Sequence, residues 1–162
     1  MKRWNILLIN GPNLQLLGRR EPEIYGRVTL AEIVENVRRE AAGLNADIAD
    51  FQTNWEGAMV DRIGAAMDDG TDGIIINPAA FTHTSVAVRD ALAAVNIPAV
   101  EVHLSRVDAR EPFRQVRLTT PVCIGVIAGF GAYGYQLALR ALIEHLEPSQ
   151  ISGGSRAERS EI

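Results

Sequence analysis

At 162 residues, with 47% hydrophobic residues and a formal net charge of −4, the chain can bury one core without help from disulfides or metals. The acidic balance and the absence of any polybasic run argue against nucleic acid as the main partner. A single cysteine, Cys123, excludes a disulfide within the chain, and its place in an apolar run marks it as a small buried hydrophobe.

In chain order, Met1-Lys2-Arg3 precedes too few apolar residues for a signal peptide, and nothing later is long and apolar enough to span a bilayer. A cytoplasmic protein with no membrane partner is expected. Residues 4–9 are an apolar run that reads as a buried strand. Its exit holds Gly11-Pro-Asn13, then Arg19, Arg20 and Tyr25 between two candidate hinges, Gly18 and Gly26: a cationic lid carrying an ionisable phenol. Thr29 to Glu32 is a capping box, after which Leu30, Ile33, Val34, Val37 and Ala41 recur at helical spacing. A second strand follows at 46–52, a second helix at 56–69 and a third strand at 73–76. That strand ends in Asn77 and Pro78, and the segment Phe81-Thr-His-Thr-Ser85 opens a helix over about 83–95. In the fourth strand, at 99–104, Glu101, His103 and Ser105 alternate with Val100, Val102 and Leu104. A strand covered on both faces should be apolar throughout, so a carboxylate and an imidazole on one face need a site to point into. An arginine-rich connection with a short helical turn at 111–116 leads to a strand at 122–127 and a last helix at 132–146. The remainder, 148–162, has no apolar period and reads as a disordered tail to a single domain over 1–147.

Five strands alternating with helices point to a doubly wound parallel α/β sheet. A flavodoxin-like order, 2-1-3-4-5, suits five units and sets the exits of strands 1 and 3 side by side. Asn13, Asn77 and the Glu101–His103 pair would then share one crevice. Gly129, Gly131 and Gly134 spell a G-x-G-x-x-G, but in the last βα unit, with no later strand to present a ribose-binding carboxylate; tight helix packing explains it better. The sequence has no Gly-Lys-Ser or Gly-Lys-Thr for a P-loop, and Pro12, Leu14 and Leu16 stand where a flavin loop would carry hydroxyls. Glu101, His103 and His83 also fit a two-histidine, one-carboxylate metal set, although two residues apart on a strand equally suit a carboxylate orienting an imidazole. A serine hydrolase built on Ser85 or Ser105 lacks the G-x-S-x-G elbow.

Six segments in order, Gly11-Pro-Asn-Leu14, Gly18-Arg-Arg-Glu-Pro-Glu-Ile-Tyr-Gly26, Thr53-Asn-Trp-Glu-Gly57, Ile76-Asn-Pro-Ala-Ala80, Thr82-His-Thr-Ser85 and Glu101-Val-His-Leu-Ser105, resemble the type II 3-dehydroquinate dehydratases. The resemblance runs from Asn5 to about His145. It implies a flavodoxin-like fold, dodecamers built from trimers, no metal or organic cofactor, and loss of water from 3-dehydroquinate to give 3-dehydroshikimate, in aromatic biosynthesis or quinate breakdown. It implies that Tyr25 is the base for the C2 proton with Arg20 beside it, since a phenol near pKa ~10 needs a close cation to act near neutral pH. Asn13 and Asn77 would serve the enolate, and His103, held by Glu101, would protonate the departing C1 hydroxyl. His83, Leu104, Ser105 and Arg114 would hold the substrate's hydroxyls and carboxylate. Asp90 would serve the neighbouring subunit's site. The chain departs from the family at Trp55, Arg106 and Asp108, all at the rim. The competing function class is a flavin- or nucleotide-binding module on the same fold.

Overall fold

The structure is a computed structural model and describes residues 2–147; the tail expected at 148–162 lies outside the described residues. Five strands, β1 (Trp4–Asn10), β2 (Ala46–Gln52), β3 (Gly73–Asn77), β4 (Ala99–His103) and β5 (Gly125–Ala128), form one sheet in the order β2-β1-β3-β4-β5. Every pairing is parallel. The helices are α1 (Pro22–Tyr25), α2 (Leu30–Gly43), α3 (Glu56–Ala65), α4 (Phe81–Thr84), α5 (Val86–Val95) and α6 (Tyr133–Leu146). No helix among the described residues is long and apolar enough to cross a membrane.

The continuous apolar runs follow from this layering. Side chains alternate across a strand, so Ile6 and Leu8 of β1 join Ile75, Val100 and Val102 in a core shared with α2 and α6. Their neighbours Leu7 and Ile9 join Ile74, Ile76 and Ala99 under α3 and α5. Each fully buried aliphatic side chain contributes about 1.5–3 kcal/mol, which fixes the register of the strands that carry the site. The helix α2 starts where its sequence says: Thr29 Oγ1 accepts from Glu32 N and the Glu32 carboxylate accepts from Thr29 N. A Cβ on Gly134 would make only ordinary contact with Ile127 and Val102, whereas Gly129 and Gly131 adopt φ of +93° and +57°, so the glycine-rich segment serves the turn into α6 rather than tight helix packing.

Besides shifts of a single residue at other element ends, three boundaries differ from the sequence expectation. The helix expected to reach residue 69 ends at Ala65, and Gly70 then turns the chain at φ +82°. The helix expected over 83–95 is two helices, because Ser85 is extended and its hydroxyl accepts Val88 N, starting α5 afresh. The fifth strand begins at Gly125 rather than 122, because Thr120–Val122 is a 3-10 turn with Pro121 at its start. That shift leaves Cys123 half-buried in the turn rather than in the sheet, with its Sγ donating to the Thr119 carbonyl.

Candidate active site

The site lies where the strand order reverses, beyond the carboxyl ends of β1, β3 and β4. The exits of β1 and β3 are locked together: Gly11 N donates to the Asn77 carbonyl at 2.8 Å, and a Cβ on Gly11 would sit 2.4 Å from the Pro78 oxygen. Only glycine permits that approach. The loop after β1 then folds back through a 3-10 turn and α1, with Gly18 at φ +86° and Gly26 at φ +80°. It carries Arg20 and Tyr25 over the strand ends, while Arg19 stays outside the cleft.

The cleft is about 100 Å³ in a measure in which one water needs roughly 10–15 Å³. That is room for a small ligand. Asn13, Arg20, Tyr25 and Asn77 line it together with His83, His103, Leu104, Ser105 and Arg114. Glu101 lies beneath, fully buried, and Asp90, exposed on α5, is not part of this cleft.

The Tyr25 ring has a guanidinium on each of two contacts, Arg20 at 5.4 Å and Arg110 at 5.5 Å from its centroid. With Arg114 these make three cations in one small cleft, balanced only at the rim by Glu21 and Glu111. Such a field favours an anionic ligand and an anionic oxygen within it.

His83 Nδ1 lies 2.7 Å from the Val116 carbonyl, which can only accept, so Nδ1 carries the proton and donates. Burial pulls the His83 pKa below its ordinary value, outweighing the carbonyl contact, with Arg114, His103 and Arg117 adding to the fall. The neutral ring thus offers Nε2 as an acceptor, suited to a substrate hydroxyl.

A model of the family described as "Dehydroquinase class II" matches residues 4–143. The chain is 55% identical to a 3-dehydroquinate dehydratase of Acinetobacter baylyi over 144 residues, 89% of this chain and 97% of the relative. It is 54% identical to one from Klebsiella pneumoniae over 147 residues, 91% of this chain and 97% of that one. The chain belongs to the class II dehydroquinases. The crystal structure of the type II dehydroquinase from Butyrivibrio crossotus superposes with a TM-score of 0.85 at 47% identity, covering 86% of this chain and 97% of that one. That of Propionibacterium acnes gives 0.83 at 41%, covering 88% and 99%.

Within this dehydroquinase site, Glu101 departs from the expected simple clamp on His103. Oε2 of Glu101 lies 3.4 Å from His103 Nε2, within reach of charge attraction but without hydrogen-bond alignment, and Nε2 has no other partner. The carboxylate is held instead by hydroxyls: Thr82 donates at 2.8 Å, and Thr119 and Thr120 also donate. Burial alone would raise the Glu101 pKa, but His103 and the threonine hydroxyls outweigh it and hold it down at about 2. A fixed negative charge therefore sits under the His103 ring.

Sequence reasoning missed this threonine cage, Arg110 and the buried Tyr135. The cage residues are 18 or 19 positions from Glu101, so only the fold brings them together. The sequence signal for Arg110 is its place in the series Arg106, Arg110 and Arg114, four apart in the connection after β4.

Proposed function

We propose that this dehydroquinase removes water from 3-dehydroquinate by an elimination that uses side chains alone. The Tyr25 oxygen, as phenolate, takes a C2 proton; the C–H electron pair forms a C2–C3 double bond and the ketone oxygen becomes the enolate oxygen. Arg20 and Arg110 hold positive charge against the Tyr25 ring, and Asn13 and Asn77 supply neutral donors to the enolate. Collapse of the enolate re-forms the ketone, makes the C1–C2 double bond and expels the C1 hydroxyl. His103 gives that oxygen its proton, so water leaves, and Glu101 stabilises the imidazolium from which the proton comes. The proton on Tyr25 is then lost to solvent and His103 is reprotonated, which resets both groups.

His83 accepts from a substrate hydroxyl, the Leu104 and Ser105 amides and Arg114 take the remaining hydroxyls and the carboxylate, and Arg114 suits the last because its fork binds both oxygens. Asp90, outside its own cleft, completes the site of a neighbouring copy in a dodecamer of trimers. The catalytic unit is residues 1–147, working in the cytoplasm without metal or organic cofactor.

The observation that carries this reading is the meeting of Tyr25, in contact with two guanidiniums, with the buried His103–Glu101 pair in one small cleft. The purified protein, mixed with 3-dehydroquinate, should generate the ultraviolet absorbance of a conjugated enone. A yellow preparation that leaves the substrate unchanged would favour a flavin-binding module instead.

A further inference from the structure

Behind the Asn77 carboxamide lies Tyr135, on α6 and completely buried. Its hydroxyl donates to Asn10 Oδ1 at 2.6 Å and receives a proton from Asn77 Nδ2 at 2.8 Å. Asn77 Oδ1 in turn accepts the Ala79 backbone N–H at 3.1 Å. Asn10 and Asn77 are direct partners at the carboxyl ends of β1 and β3, so the chain of contacts spans the wall of the cleft.

One member of this chain has a polarity that cannot change: a backbone N–H only donates. The Ala79 N–H therefore requires the oxygen of the Asn77 carboxamide to face it, which turns the amide nitrogen toward Tyr135. With its oxygen receiving that proton, the Tyr135 hydroxyl must send its own single proton the other way, and Asn10 must meet it with its oxygen. Burial pushes the Tyr135 pKa up, against a smaller opposing effect of Asn77, so that proton stays in place at physiological pH. Asn77 spends one N–H on Tyr135 and keeps the other, and the residue is one of those that line the cleft. Ala79 itself is held at φ +52°, an uncommon left-handed backbone for a residue with a Cβ.

We propose that Tyr135, with Asn10, is a positioning residue that clamps the Asn77 carboxamide in the orientation the Ala79 N–H sets, so that it presents an N–H, and not its oxygen, to the reacting molecule. A carboxamide turned end for end would set a carbonyl oxygen against the developing oxyanion, exchanging a donor for a repulsive contact. The lock acts on the transition state, where negative charge grows, and has little hold on ground-state binding. It rests on the dehydration reading given above.

The test is a set of variants of the full chain, Tyr135→Phe, Asn77→Ala and the double variant, assayed on 3-dehydroquinate beside the unaltered protein. Tyr135→Phe should lower kcat by about tenfold or more while KM stays within about threefold. Because Tyr135 acts through Asn77, the double variant should be no slower than Asn77→Ala alone. A Tyr135→Phe protein with unaltered kcat, or losses that multiply in the double variant, would overturn the lock. If Tyr135→Phe does not fold, Asn10→Ala carries the test: a lower kcat at unchanged KM supports the lock, and an unchanged kcat refutes it. Inactivity of the unaltered protein would instead refute the dehydration reading, so the two failures are distinct.

Discussion

Replacing Glu101 by glutamine keeps the shape of a fully buried side chain and removes its charge. The carboxyl is held at about 2 against an ordinary 4.5. At about 1.4 kcal/mol per pH unit, that difference amounts to about 3 kcal/mol in favour of the charged form in the folded protein. Between those two values the unfolded chain binds a proton that the folded chain refuses, so stability rises with pH there. The contribution is complete above about pH 4.5 and is lost as pH falls toward 2, with about 2 kcal/mol gone by pH 3. Asp47, Asp69 and Glu111 are also held below the ordinary carboxylate range, by hydrogen bonds from Arg3, Thr71 and Arg114 respectively, but they are common to both proteins and cancel in the comparison. Urea unfolding at fixed protomer concentration, at pH 6 and pH 3, reads the difference directly. The unaltered protein should lose about 2 kcal/mol more than Glu101→Gln over that span. Parallel losses in the two proteins would refute the account of Glu101 as a buried, hydroxyl-held carboxylate.

Tyr25→Phe keeps the ring and removes the oxygen, so steady-state kinetics should show kcat falling by about 10²–10⁴ with KM little changed. Arg20→Ala and Arg110→Ala should each lower kcat, while Arg19→Ala, outside the cleft, should leave it nearly unaltered; equal losses at all three would remove the special place of the two guanidiniums beside Tyr25. Asp90→Ala should depress kcat/KM although Asp90 is absent from its own cleft, and size-exclusion chromatography should show a large homo-oligomer. A fully active monomer would contradict a shared site.

The parts of the fold written in local patterns were legible. The capping box at Thr29 and Glu32 and the double-faced apolar runs of β1 and β3 lie where their periodicity puts them, and the strand order sets Asn13 and Asn77 on one crevice. The alternation of Glu101 and His103 with valines marks two polar groups that the structure buries in a covered strand, with His103 lining the cleft. Its details were not local. The hydroxyls around Glu101 come from α4 and from the 3-10 turn before β5, and the partner of Tyr135 is 125 positions away at Asn10. Tyr135 in sequence is one more apolar-face residue of an amphipathic helix; its hydroxyl acquires meaning only once α6 lies against β1 and β3. The break at Ser85 was equally hidden, since Phe81 to Val95 has no proline or glycine to mark it.

The central claim is that Tyr25 forms the enolate and His103 completes the departure of water, and isotope exchange separates the two steps. Substrate recovered from heavy water and read by proton NMR reports enolate formation even when elimination fails. His103→Ala should exchange a C2 proton of 3-dehydroquinate while scarcely forming 3-dehydroshikimate, and Tyr25→Phe should do neither. Exchange that persists in Tyr25→Phe, or that disappears in His103→Ala while Tyr25 is intact, would contradict the assignment.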